Sequence, residues 1–151
     1  MRHLSNIKVE GKITIVKRDK VTGKVIKRIE VRNSITSKIA EMIIKALTGL
    51  DSLKQIKGLR LLDENGNEIK NLSVSVETVG WNTGEKHWNT TFKATDSSTN
   101  EYTVYEAWLH TGTPPDVGEV YFIATGLSIS KSANEVVDYY WEVRAYYDVE
   151  V

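Results

Sequence analysis

Apolar and polar residues alternate with a period of two through most of the chain, the signature of strands that bury one face. Ile7, Val9, Ile13 and Ile15 are interleaved with Lys8, Glu10, Lys12 and Thr14. After a turn-rich stretch at residues 18–24, Val25, Ile29 and Val31 resume the alternation against Arg28, Glu30 and Arg32, which predicts a hairpin. Lys27 falls on the apolar face, so one end of the second strand is expected to be exposed. The period then changes. Ile35, Ile39, Met42, Ile43, Ala46, Leu47 and Leu50 form one stripe on a 3.6-residue repeat and predict a single amphipathic helix near residues 34–48. Asn33 or Ser34 is placed to cap its start, and Gly49 to end it in the left-handed conformation.

Beyond residue 53 short strands return. Segments 56–62 and 68–71 flank Asn65-Gly66, a strong hairpin signal, and Leu72, Val74 and Val76 continue an alternating strand. Trp88, Thr90, Phe92 and Ala94 mark another, followed by strands at 101–110 and from 119 to about 124, separated by loops at 95–100 and 111–118. The final segment alternates most clearly. Val137, Tyr139, Trp141, Val143, Ala145, Tyr147, Val149 and Val151 oppose Asp138, Tyr140, Glu142, Arg144, Tyr146, Asp148 and Glu150. Eight or nine strands with one helix predict a mainly β fold, an antiparallel β-sandwich of jelly-roll-like topology whose helix covers an open face or end. With 151 residues it is read as a single β-sandwich domain spanning 1–151.

Composition narrows the chemistry. Cysteine is absent, which removes disulfide frameworks, thiolate nucleophiles and cysteine-ligated metals. The 20 basic and 20 acidic side chains give no global pull toward nucleic acid or anionic lipid. They are unevenly placed, with 16 basic and 8 acidic in residues 1–70 against 4 and 12 in residues 71–151. Two readings stand: a charge dipole that stacks copies head to tail or around a ring, or two halves that interleave and pair locally. The basic cluster Lys12, Lys17, Arg18, Lys20, Lys24 and Lys27 lacks interleaved aromatics and supports only non-specific phosphate contact, so no specific nucleic-acid partner is expected. No apolar run of signal-peptide or membrane-span length occurs, so synthesis in the cytoplasm and no membrane partner are expected. One glutamine, no cysteine and abundant Lys, Glu and Ile lean toward a thermophilic source, against which nine asparagines count.

Candidate sites are few. His3, His87 and His110 lack metal-site spacing, and no nucleophile elbow or phosphate-binding glycine pattern occurs, so neither cofactor, metal nor enzymatic activity is expected. Trp88 and Trp141 read first as core residues of alternating strands. Trp81, within Gly80-Trp81-Asn82-Thr83-Gly84, reads as a loop aromatic open to contact. The alternative is a carbohydrate platform built from Trp81, Trp88 and Trp108, which requires exposed, roughly coplanar indoles. Tyr140 and Tyr146 on the polar face of the last strand, with Tyr147, are candidate subunit-interface residues. If the strand 136–151 lies at a sheet edge, its free backbone groups are placed to pair with a neighbouring subunit.

Three segments resemble a known family. Val21-Thr22-Gly23-Lys24-Val25-Ile26, Val31-Arg32-Asn33-Ser34-Ile35-Thr36 and the run from Ile39 to Gly49 resemble the N-terminal part of small virion proteins of tailed phages and archaeal viruses or proviruses. In these a hairpin leads through "N-x-I-T" into a helix ending "L-x-G". Glu106-Ala107-Trp108-Leu109, Tyr121-Phe122-Ile123-Ala124, Ile129-Ser130-Lys131 and Tyr140-Trp141-Glu142-Val143 are similar, in order, to that family's later strands. The segment Ile56-Lys57-Gly58-Leu59-Arg60-Leu61-Leu62-Asp63 departs from its pattern. The resemblance implies a non-enzymatic virion component of tail, fibre-base, turret or capsid-decorating type. It further implies assembly with itself and with other virion proteins; host attachment through a surface glycan is the role that would satisfy both this reading and the carbohydrate platform.

Overall fold

The computed structural model describes residues 6–52 and 54–148, with side chains described between residues 8 and 146. Its elements are β1 (Asn6–Asp19), β2 (Val25–Ile35), α1 (Ser37–Thr48), β3 (Gly58–Leu62), β4 (Glu68–Ser73), β5 (Ser75–Asn82), β6 (His87–Asp96), β7 (Tyr102–His110), β8 (Val120–Lys131) and β9 (Glu135–Asp148). The nine strands form one curled antiparallel sheet in the order β4-β3-β7-β8-β2-β1-β9-β6-β5. The fold is mainly β and sandwich-like, as the alternation predicts.

The curl has two physical causes. Between β8 and β2 the pairing is confined to Ser34↔Ile123 and Ile35↔Phe122, so the sheet turns along a narrow seam. At the far side the chain passes straight from β4 into β5 through Val74, whose N–H donates to the Lys57 carbonyl. The sheet therefore divides into a half β2-β1-β9-β6-β5 and a half β4-β3-β7-β8 around one core. Ile13, Ile15, Tyr139 and Trp141 enter from the first half; Leu59, Leu61, Leu109, Phe122 and Ile129 enter from the second. Phe122 and Trp141 meet with ring centroids 6.3 Å apart.

The helix begins at Ser37, later than the stripe suggests. Ser34 and Ile35 are drawn into pairing with β8, and Thr36 is fixed by its N–H to the Tyr121 carbonyl (2.9 Å) and its hydroxyl to the Val120 carbonyl (2.6 Å). Thr36 rather than Asn33 or Ser34 is the N-cap, while Gly49 closes the helix at φ 77° as expected. Only Met42 of α1 is buried; Ile43, Ile44, Leu47 and Leu50 face water. The alternating strand expected through Leu72, Val74 and Val76 is broken at Val74, and β8 runs on to Lys131, well past residue 124.

The last strand is not an edge. β9 pairs with β1 from Glu135 to Asp148 on one side and with β6 from Val137 to Tyr146 on the other, so its backbone is committed within the sheet. The condition for its pairing with a neighbouring subunit, a position at the sheet edge, is therefore not met; residues 149–151 lie outside the described residues. The interleaved reading of the charges also holds, because β1 and β9 are neighbours. Lys17 pairs with Glu135 (3.6 Å) and Arg18 with Asp138 (2.8 Å), and Lys54 reaches Glu119 (3.3 Å).

Two polar clusters fasten the connections. Asp96 accepts from the Tyr102 hydroxyl (2.6 Å) and the Ser98 N–H (2.9 Å), and the buried Lys131 ammonium donates to the carbonyls of Asn100 and Ser132 (3.0 Å each), so the crossing from β6 to β7 is pinned. His110 is fully buried over Gly58. One ring nitrogen meets Asn71 Oδ1 (2.8 Å), and the other accepts from the Gly112 N–H (3.0 Å), which ties the loop after β7 to β4.

Candidate functional site

Directly opposed residues of neighbouring strands share a face, so the inner surface of the first half is a stack of rows. Phe92, Trp141, Ile13 and Val31 form a row beneath Phe122 of the other half. The next row is Val79, Thr90, Val143, Gly11 and Asn33, and the one beyond it is Trp81, Trp88, Ala145 and Val9. At their β5–β6 end these last two rows emerge from under the second half: Val79 is 69% exposed, Trp88 59% and Trp81 43%. The result is an apolar shelf at the open end of the sandwich, on a face whose alternation signals core.

Trp141 is core, as its alternation predicts. Trp88 is not: its strand outruns the opposing half, and that is why reading it as a core residue fails. Trp81 is exposed as expected, though it lies within β5 and pairs across to Trp88, ring centroids 5.7 Å apart and planes tilted by 50°. Trp108 stands elsewhere, half-buried on β7, its indole N–H bonded to Glu106 (2.9 Å) and the Arg60 guanidinium 4.9 Å over its ring. The three-indole platform thus reduces to a tilted pair, because β7 belongs to the other half of the sheet.

Tyr140 and Tyr146 of β9 occupy the opposite face of the first half, whereas Tyr139 points into the core. The Lys93 ammonium lies 5.3 Å from the Tyr140 ring. Tyr146 accepts from Arg144 (3.2 Å) and meets the buried His87 ring edge-on at 4.9 Å. His87 in turn contacts Glu85 at 2.8 Å. Both tyrosines are half-buried in contacts within the chain. Tyr147 pairs its backbone with Ile7, and its side chain lies outside the described residues.

A cleft of about 290 Å³ opens where β2 leaves β1 after the Gly11↔Asn33 pair. Val9 and Ile35 line it together with Glu10, Lys12, Arg32, Glu142 and Arg144. Glu10 is engaged by Lys8 (2.8 Å) and Glu142 by Arg144 (2.9 Å). The Lys8 hydrogen bond holds the Glu10 carboxyl below its ordinary range. Both acids of the cleft are thus ion-paired, an arrangement suited to holding shape. Among the described residues no group of three or more His, Asp or Glu side chains is placed to hold a metal ion.

Sequence reasoning missed the exposure of β5 itself, where Val76 and Val79 stand in water beside Trp81. Its signal is the low charge of residues 75–82, in which Glu77 is the single ionisable side chain. No family model matches this chain, and neither does any curated protein or solved structure.

Proposed function

We propose that the protein is a non-enzymatic structural component of a virus particle, acting by self-association and by docking to other virion proteins. The observation that carries the reading is a pair of apolar surfaces left in water: the shelf of Val79, Trp81 and Trp88, and the stripe of Ile43, Ile44 and Leu47 on α1 with Leu50 just past its end. Contiguous exposed apolar surface rimmed by polar residues marks an interaction site in soluble proteins. The ordered resemblance to small virion proteins of tailed phages and archaeal viruses supplies the setting, that of a protein made in the host cytoplasm and carried in the particle. Mass spectrometry of purified particles, or of particles induced from a provirus-carrying host, tests it. Recovery at several copies per particle is expected, and absence from every particle fraction overturns it.

The Trp81–Trp88 pair favours a second reading, a carbohydrate-binding module. Aromatic rings at an exposed edge stack on sugar faces. The 50° tilt suits one ring and a flanking substituent better than a flat chain of rings. A glycan array separates the two: signal lost on Trp81→Ala or Trp88→Ala establishes sugar binding, and silence across the array leaves the assembly reading alone.

A further inference from the structure

We infer that β5 is the self-association strand, and that two copies pair their β5 strands antiparallel about a twofold axis to make one continuous sheet. The inference rests on the self-association reading above and names the surface it uses. Each open sheet edge must be guarded or paired, since its free N–H and C=O groups form a template for another strand. The edges of this sheet are treated differently. β4 is six residues long, carries Glu68 and Lys70, and is tied to the Pro114-Pro115 loop by the Asn71 amide, which donates to the carbonyls of Pro115 (3.1 Å) and Asp116 (3.0 Å). The side of β2 away from β1 is free of β8 along residues 25–33 and presents Lys27, Arg28 and Arg32 there. Self-pairing of that stretch would bring cations together.

β5 lacks these guards from Thr78 to Asn82, its one irregularity being the register shift at Glu77 between Val76 and Thr78. Among the described residues it pairs with β6 alone, it contains no lysine, arginine or proline, and every residue but Gly80 is exposed. The occupant is specified in three respects. The edge offers backbone hydrogen bonds, so the occupant is a strand. Val76, Val79 and Trp81 must be covered, so it is apolar. Glu77 is its one charge, so two copies of β5 pair without like-charge opposition in any twofold register not centred on Glu77 itself. An axis near Val79 meets that condition and joins the two Trp81–Trp88 shelves into one surface. Such a contact is isologous and closes at two copies, leaving the α1 stripe free for other virion proteins.

Light scattering coupled to size exclusion on the full chain, with two substitutions at exposed positions, tests this. Wild type is expected to run as a dimer or an even multiple, Val79→Lys as a monomer with unchanged circular dichroism, and Leu47→Lys as wild type. The chain has no cysteine, so Val79→Cys under mild oxidation should give a covalent dimer and Leu47→Cys should not. A wild-type monomer at every concentration overturns both self-association and this inference. Association that survives Val79→Lys but is dissolved by Leu47→Lys overturns this inference alone and leaves self-association standing, as does an associated Val79→Cys protein that fails to cross-link. Should Val79→Lys unfold, the cysteine experiment decides.

Discussion

The indole N–H of Trp141 donates to Asn33 Oδ1 across 2.9 Å, and the Asn33 side chain can reach that position only because residue 11 has no Cβ. Gly11 faces the asparagine amide so closely that a methyl group there would collide with it. Gly11→Ala is expected to cost about 1–3 kcal/mol as overpacking. Asn33→Ala is expected to cost about the same by leaving a buried indole N–H unpaired. The double variant should cost less than the sum, because removing the amide makes room for the methyl. Urea denaturation of the four proteins checks this, and strict additivity would show that the two residues do not share the space.

His110 should make stability fall on mild acidification. Burial pushes its imidazole below the ordinary 6.5, with Arg60 adding to the effect. The unfolded chain therefore takes up a proton first as pH drops. The contribution is fully present above about pH 6.5 and is lost as pH falls toward the lower folded value. Protonation would also end acceptance from the Gly112 N–H. Wild type and His110→Gln unfolded in urea between pH 7.5 and 5 should differ in slope, with the variant flatter; parallel curves would count against it.

A second acid step belongs to Asp138 and Asp96. Burial pushes the Asp138 carboxyl up, but the bonds from Arg18 (2.8 Å) and Thr95 (2.7 Å) outweigh it and leave the group below 3.8. Asp96 is held down likewise by Ser98 and Tyr102 against its burial. Both stabilise above pH 3.8 and cease to as pH falls through their folded values. Asp138→Asn is expected to lose about 1.5–3 kcal/mol at pH 7. Its deficit should shrink toward zero in strong acid, as followed by circular dichroism.

On α1 the two apolar positions Met42 and Leu47 should behave oppositely. Met42 is 1% exposed and anchors the helix, so Met42→Ala is expected to cost about 2–5 kcal/mol. Leu47 is 79% exposed, and Leu47→Ala should stay within about 0.5 kcal/mol. Thermal melts of the dilute protein distinguish them.

The contrast between Met42 and Leu47 shows what periodicity conveys. A 3.6-residue stripe says that one face avoids water, and it is silent on whether the cover comes from this chain or another. Alternation in β6 likewise assigns Trp88 to the inner face correctly, yet how far the opposing half extends is set by the lengths and tilts of β3, β7 and β8. The inner row Val137, Tyr139 and Trp141 was legible because each side chain needs the core whatever strands flank β9. Which strands flank it was not legible, since pairing of β9 with β1 joins residues more than a hundred positions apart and leaves no local mark. The His110 contact with Asn71 was hidden likewise, since the two residues lie 39 positions apart on different strands.

The central position of β9 has a consequence for how the molecule comes into being. The β1–β2 hairpin and the β5–β6 hairpin share no border, and β9 is the partner that both require. On a ribosome, both hairpins emerge before residues 135–148 and must wait with open flanks for the bridging strand. Strand pairings between residues more than a hundred positions apart, as between β1 and β9, form slowly. The unguarded β5 edge is exposed throughout that delay, so nascent chains on neighbouring ribosomes could find one another through it before either has finished folding.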